Sequence, residues 1–227
     1  MLGLLLNLTK TMFMKNVLVS HAPFTLNGTN TSECSSYIYL GREINMMNDL
    51  APELIRRKRA AWGAFKSIED VVKRTKNTRL RAHLFDSTVL PAITYASGTW
   101  SLRKQDERLL SVIERAVERT MLEVSRFTQV REAIRSSDLH QRSRVKDAVL
   151  HAKQSKVRWA GHVMRMNGNR WTRAVSGWIV RDIKPTAGRP PTRWSEFFTR
   201  SLEERYDARR VTRACRSHWA ALARGRE

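Results

Sequence analysis

Two short stretches of this chain carry closely spaced basic side chains, and one of these stretches also carries a tryptophan. The first stretch is the unbroken run Arg56, Arg57, Lys58 and Arg59. The second surrounds Trp159 and contains Lys156, Arg158 and Arg165. Guanidinium and ammonium groups bind phosphate oxygens, and an aromatic ring between cations can stack on an unpaired base. These residue types therefore predict contact with a nucleic-acid backbone.

The charge of the whole chain points the same way. Its 227 residues include 42 Lys and Arg against 21 Asp and Glu, which gives a formal net charge of +21. Residues 1–50 are neutral, so residues 51–227 carry the entire excess. Such a field attracts polyanions, and nucleic acid is the usual one. The alternative is a basic surface without a partner. The seven tryptophans argue against a mere solubilising tail, because an indole ring needs something to pack on.

The composition disfavours several other classes of protein. The sequence has no run of about 18 apolar residues, so we expect no membrane partner. Cys34 and Cys215 cannot form a disulfide framework, and the start of the chain lacks the features of a signal peptide. We therefore expect the nucleus or the cytoplasm rather than secretion. No cysteine pair has zinc-finger spacing, so no metal site is predicted.

Two periodicities divide the chain into a short β part and a long α part. Residues 4–44 carry strand signals, including the turn dipeptide Asn27-Gly28, and predict a small antiparallel sheet. After residue 48 the apolar residues recur at helical spacing, which predicts a mainly α fold. One helix is expected to have an apolar face of Leu54, Ala61, Phe65, Ile68 and Val72, with Pro52 in its first turn. A second is expected to run from about Thr78 to a break or kink at Pro91. A third helix is expected from Lys104 to Leu122, with an inward face of Leu109, Val112, Ile113, Ala116, Val117 and Met121.

Five strings carry a more specific resemblance, and they occur in a fixed order. They are LNLTKTMFM (6–14), SSYIYLGREI (35–44), LPAITYASGTW (90–100), SKVRWAGHVMRM (155–166) and GRPPTRW (188–194). Together they resemble the C-terminal part of the reverse transcriptase of non-LTR, LINE-type retrotransposons, and of RTE-type elements in particular. The resemblance covers essentially the whole chain.

The resemblance implies a domain organisation. Residues 1–48 would be the end of a polymerase palm with a primer-grip-like hairpin, and residues 49–125 a helical thumb. A basic helical region, 126–184, would follow, then a Pro/Gly linker, 185–191, and C-terminal helices, 192–227. In such a polymerase the thumb grips the template–primer duplex through its backbone, so the run Arg56 to Arg59 would contact phosphates irrespective of sequence.

The resemblance also implies roles for the hairpin and the later tryptophan. Tyr39, Gly41 and Arg42 match the primer grip, where glycine lets a sugar–phosphate approach and arginine can bind a phosphate. Tyr39 is equally compatible with a place in the palm core. Trp159, with Lys156, Arg158 and Arg165, could stack on unpaired RNA or belong to the core of the basic region.

Catalysis is not expected from this chain alone. Reverse transcriptases hold two divalent metal ions on clustered aspartates, and no Asp-Asp pair occurs in these 227 residues. The resemblance implies that the chain begins after those aspartates, that Mg²⁺ belongs only to the complete polymerase, and that no catalytic residue or cofactor is present. The expected partners are RNA and RNA–DNA or DNA duplexes. The alternative is a basic RNA-binding scaffold protein without polymerase ancestry; the oligomeric state is not predicted.

Overall fold

The computed structural model describes residues 6–15, 23–47 and 49–165. Within them the chain is mainly helical, with a few short strands before the first helix, which confirms the predicted fold class. The predicted linker, 185–191, and the predicted C-terminal helices, 192–227, lie outside the described residues. The predicted basic region is described only as far as residue 165.

The strands form three separate pairs rather than one continuous sheet. Their bounds are Met12–Phe13 (β1), Thr25–Leu26 (β2), Thr29–Asn30 (β3), Ser32–Glu33 (β4), Ser36–Tyr39 (β5) and Arg42–Asn45 (β6). The pairs β2–β3 and β5–β6 are antiparallel hairpins, whereas β1 pairs with β4 in parallel. Strands of two to four residues have few ladder hydrogen bonds, so each pair depends on what it packs against.

Both hairpins close through two-residue turns in which both residues have positive φ. In the first turn Asn27 and Gly28 have φ values of 50° and 76°, as the dipeptide predicted. In the second, Leu40 and Gly41 have φ values of 47° and 78°. The second turn places Tyr39 opposite Arg42, so these two residues flank the tip of the β5–β6 hairpin.

Helices make up most of the chain from residue 51 to residue 165. They are Ala51–Arg74 (α1), Thr78–Leu84 (α2), Leu90–Ile93 (α3), Lys104–Met121 (α4), Arg126–Arg131 (α5), Ser136–Ser143 (α6) and Ala148–Arg165 (α7). A π-helical turn, Phe85–Val89, joins α2 to α3, and a 3₁₀ turn, Ser97–Thr99, precedes α4. The expected break at Pro91 therefore takes the form of a widened turn just before the proline, whose missing N–H removes one helical hydrogen bond.

The core lies between α1, the α2–α3 segment and α4. The predicted face of α1 is confirmed, because Leu54, Phe65 and Val72 are buried. The predicted inward face of α4 is partly wrong: Ile113, Val117 and Met121 are buried, but Leu109 and Val112 are exposed.

The buried face of α4 is rotated relative to the predicted one, because buried carboxylates, among them Glu114 and Glu118, belong to it. Glu114 and Glu118 lie on the same face as Ile113 and Val117. Each carboxylate accepts a hydrogen bond from the segment packed against α4: Glu114 Oε1 from the Ala148 backbone N–H at 2.9 Å, and Glu118 from the Ser143 hydroxyl. Hydrogen bonds of this kind lower the cost of burying a polar group.

None of the helices in the described part of the chain is both long enough and apolar enough to cross a membrane.

Candidate functional site

Three segments that are far apart in sequence meet at the tip of the β5–β6 hairpin. They are the hairpin turn, the first turns of α1, and α7 together with the 3₁₀ turn before α4. We call this neighbourhood the hairpin-docking region and define it by Gly41, Arg42, Glu53, Arg56, Arg57, Tyr95, Thr99, Lys156 and Trp159. Each of the three predicted groups of site residues, near 39–42, 56–59 and 156–159, contributes to it.

Gly41 sits where the hairpin turn approaches another side chain closely. A Cβ atom at this position would lie 2.6 Å from the ring of Tyr95, and the residue has a φ of +78°. Any side chain would therefore meet both a clash and backbone strain. The guanidinium of Arg57 lies 4.8 Å from the centroid of the same Tyr95 ring, so the turn, the ring and the cation form a stacked contact.

A buried carboxylate fixes the hairpin to α1. Glu53 is fully buried, and its Oε2 accepts hydrogen bonds from the Glu43 backbone N–H at 2.9 Å and from Arg56 Nε at 3.0 Å. Its Oε1 accepts from Arg57 Nε at 2.6 Å. The guanidinium groups of both arginines donate in turn to the carbonyl oxygen of Gly41. Two of the four cations in the basic run are therefore engaged in holding the hairpin.

Arg42 and Lys156 bring further positive charge to the same place. Arg42 donates from Nη1 to the Thr99 carbonyl oxygen at 2.8 Å, and its buried Nε has no hydrogen-bond partner among the described residues. Burial lowers the pKa of Arg42, and the Glu53 carboxylate opposes that change. Burial also lowers the pKa of Lys156 to about 8, with the charge of Arg42 as a second cause. The two cations are thus close enough to repel each other.

Trp159 packs against the 3₁₀ turn while part of its ring faces solvent. A Cβ atom on Gly98 would lie 3.1 Å from Trp159 Cβ, so glycine allows α7 to approach this turn closely. The Trp159 and His162 ring centroids are 5.7 Å apart at an interplanar angle of 32°. Arg158, the residue before the tryptophan, is exposed. Trp159 is therefore only partly buried, because it packs on the turn while part of its surface stays accessible to solvent.

The remaining predicted residues differ in how far they reach solvent. Lys58 and Arg59 are exposed on α1, one or two residues after the pair that holds the hairpin. Tyr39 is exposed at the hairpin tip, with 59% of its surface accessible. Arg165 is the last residue of α7, and its side chain lies outside the described part.

Three residues of the region were missed by the sequence analysis. Glu53 was overlooked because a glutamate in the first turn of a helix is an ordinary surface residue. Its spacing to Arg57, four residues along a helix, was the signal that could have suggested a pair. Tyr95 and Thr99 lie between α3 and α4, where periodicity does not indicate which residue contacts a distant hairpin.

Metal ligation has no visible basis in residues 6–15, 23–47 and 49–165. No three His, Cys, Asp or Glu residues within these ranges come together in a way that could hold an ion. The hairpin-docking region contains several cations, one buried carboxylate, that of Glu53, and two aromatic rings, those of Tyr95 and Trp159.

Comparison with known proteins identifies a relative of this chain. It is 32% identical over 229 aligned positions to an uncharacterised transposon-derived protein of Caenorhabditis elegans, and the match covers 99% of this chain and 81% of the relative. No protein-family model and no solved structure matches the chain. At this identity and coverage, the chain belongs to a family of transposon-derived proteins.

Proposed function

We propose that this chain is the thumb-side part of a retrotransposon RNA-directed DNA polymerase and binds RNA or a template–primer duplex through its phosphate backbone. The observation that carries the proposal is the convergence of cations from three distant segments on the hairpin-docking region. The transposon-derived relative supports an origin in a mobile element, and the strings that resemble a reverse transcriptase supply the polymerase assignment.

The arrangement of the region supports phosphate binding more than base reading. Lys58 and Arg59 follow Arg57 on α1, Arg158 precedes Trp159 on α7, and all three side chains are exposed. Arginine and lysine side chains commonly contact phosphate oxygens, and such contacts carry no sequence information. Trp159 and Tyr39 expose aromatic surface, which suits stacking on a base or packing on a sugar.

The β5–β6 hairpin supports the polymerase assignment over that of an unrelated basic scaffold. Tyr37, Ile38, Tyr39 and Leu40 are all exposed on it. A self-contained RNA-binding scaffold has no need of consecutive large apolar residues in water, whereas a hairpin that packs on a palm and a primer does. The proposed role is binding and positioning; chemistry would require the aspartates and Mg²⁺ of a complete polymerase.

A triple variant tests whether this surface binds nucleic acid. Replacing Lys58, Arg59 and Arg158 with glutamine should reduce the slope of log affinity against log salt by about 2 to 3, because each lost phosphate contact removes about 0.7–0.9. Fluorescence anisotropy with a labelled RNA–DNA duplex at several salt concentrations measures that slope.

The matched control replaces three exposed arginines that, unlike Lys58, Arg59 and Arg158, do not adjoin the hairpin-docking region in sequence, namely Arg108, Arg115 and Arg126. This variant loses the same charge and should keep a slope close to that of the parent chain. If both variants lose slope equally, binding reflects net charge alone and the hairpin-docking region is not the interface.

A further inference from the structure

A second basic site lies at the far end of α1 from the hairpin. It is a cavity of about 630 Å³, open to solvent and lined by Asn77, Thr78, Arg79, Gln141, Arg142 and Arg144. The first three residues precede or begin α2, and the last three lie at the end of α6 or just after it. We call it the α2–α6 cleft. None of its three arginines was singled out by the sequence analysis.

The cleft offers hydrogen-bond donors and no carboxylate. Its six lining residues include three arginines and no Asp or Glu. The side chains of Arg79, Arg142 and Arg144 are exposed, and none has a hydrogen bond or ion pair with another described residue. Neighbouring Arg81 differs, because it donates to the carbonyl oxygens of Thr75 and Met121 and so ties α1 to α4.

The lining also indicates which ligand chemistry the cleft would accept. Sites for small organic molecules are mostly apolar, with a few polar groups for orientation. This cleft is polar throughout, and the Thr78 hydroxyl and the Gln141 amide add neutral donors to the three guanidinium groups. Several guanidinium forks without a counter-charge suit phosphate oxygens.

The length of α1 sets the distance between the two basic sites. The hairpin is held at Glu53, Arg56 and Arg57, near the start of α1, and the cleft begins at Asn77, just beyond its end. At 1.5 Å per residue, the roughly twenty residues between them separate the sites by about 30–35 Å. A duplex rises about 3.4 Å per base pair, so about ten base pairs would span that distance.

The geometry points to the α2–α6 cleft as a second phosphodiester-binding site, so that one nucleic acid is held at both ends of α1. The inference rests on the proposed function, since it assigns a second contact to the same ligand. It adds a minimum ligand length: duplexes shorter than about ten base pairs reach one site, and longer duplexes reach both. Linking two contacts on one ligand raises its affinity well above that of either contact alone.

A series of duplex lengths tests the inference on the full chain. For the parent chain, affinity at about 0.1 M salt should rise steeply between duplexes of about 6 and about 12 base pairs, then level off. A variant with Arg79→Gln, Arg142→Gln and Arg144→Asn should bind the longer duplex about 10- to 100-fold more weakly, because it loses three phosphate contacts. Its affinity for the shortest duplex should change far less. Asparagine is chosen at position 144 because this residue has a φ of +60°, which asparagine tolerates.

The controls separate a failure of this inference from a failure of the proposed function. If the Arg108, Arg115 and Arg126 variant loses the length dependence as fully as the cleft variant, the cleft has no special role. If the parent chain binds long duplexes and the cleft variant binds them equally well, only the inference fails. If the parent chain binds no duplex of any length, the proposed function itself fails.

Free phosphate is the other source of the same chemistry. Isothermal titration with inorganic phosphate and with pyrophosphate should show binding far weaker than that of the longer duplex. If either ion binds the parent chain as tightly as the longer duplex, and the cleft variant abolishes that binding, the cleft is a site for a free anion and the assignment to a nucleic-acid backbone is overturned.

Discussion

Replacing Glu53 with alanine is expected to lower the free energy of unfolding by about 3–5 kcal/mol, the cost typical of breaking a buried ion pair by removing one partner. The substitution leaves Arg57, which is itself buried, without its carboxylate, and it leaves the Glu43 backbone N–H without an acceptor. The hairpin should also lose its hold on α1, because Arg56 and Arg57 would no longer be aimed at the Gly41 carbonyl. Urea denaturation followed by circular dichroism measures the change.

A second glutamate on the same helix provides the matched control. Glu69 pairs with Lys73 at 2.8 Å with the same four-residue spacing, but Lys73 is exposed and Glu69 is only partly buried. The Glu69→Ala variant should therefore lose much less stability than the Glu53→Ala variant. Replacing both Glu53 and Arg57 with methionine should be less harmful than Glu53→Ala alone, because no buried charge remains unpaired. A Glu53→Ala variant as stable as the Glu69→Ala variant would show that the buried carboxylate does not hold the hairpin.

The Glu114→Gln variant is expected to be more stable than the parent chain at pH 8, by about 3–5 kcal/mol, and equally stable near pH 4. Burial, with the nearby charge of Asp147 as a second cause, raises the pKa of Glu114 from 4.5 to about 8. Between these two values the unfolded chain releases a proton that the folded chain keeps, so stability falls as pH rises, by about 1.4 kcal/mol per pH unit. Glutamine remains neutral and can still accept the hydrogen bond from the Ala148 N–H.

Thermal or urea unfolding at several pH values between about 4 and 8 measures this difference. The Glu132→Gln variant, which removes an exposed carboxylate beside Arg131, is the control for the loss of one negative charge. Parallel curves for the parent and Glu114→Gln would mean that Glu114 ionises in the folded chain as it does in water.

The mainly helical fold could be predicted because apolar residues at helical spacing form one face of a helix, and that face is the one that is buried. The face of α1 and the Asn27-Gly28 hairpin followed from local signals alone. The face of α4 did not, because Glu114 and Glu118 are polar residues in buried positions, and a pattern that counts only apolar residues rotates the helix to expose them. Their burial depends on hydrogen bonds from Ala148 and Ser143, which are distant in sequence.

In the candidate site, too, individual residues could be predicted from local sequence, but contacts between distant segments could not. The sequence identified the hairpin glycine, the basic run and the tryptophan as separate features. It gave no means of knowing that Arg56 and Arg57 turn inward to a buried glutamate while Lys58 and Arg59 face solvent. The α2–α6 cleft was missed for a related reason: its arginines come from two helices and form no run in the sequence, so only the fold brings them together.

The most direct test of the account is the salt dependence of binding by the full 227-residue chain. Anisotropy titrations would use two RNA–DNA duplexes of unrelated sequence, each longer than about ten base pairs, from low to moderate salt. The account predicts straight lines of log affinity against log salt with a slope of about −4 to −5, from roughly six phosphate contacts in the two basic sites, and nearly coincident lines for the two sequences. A slope shallower than about −1, or affinities that differ widely between the two sequences, would contradict the claim that this chain holds nucleic acid by its backbone.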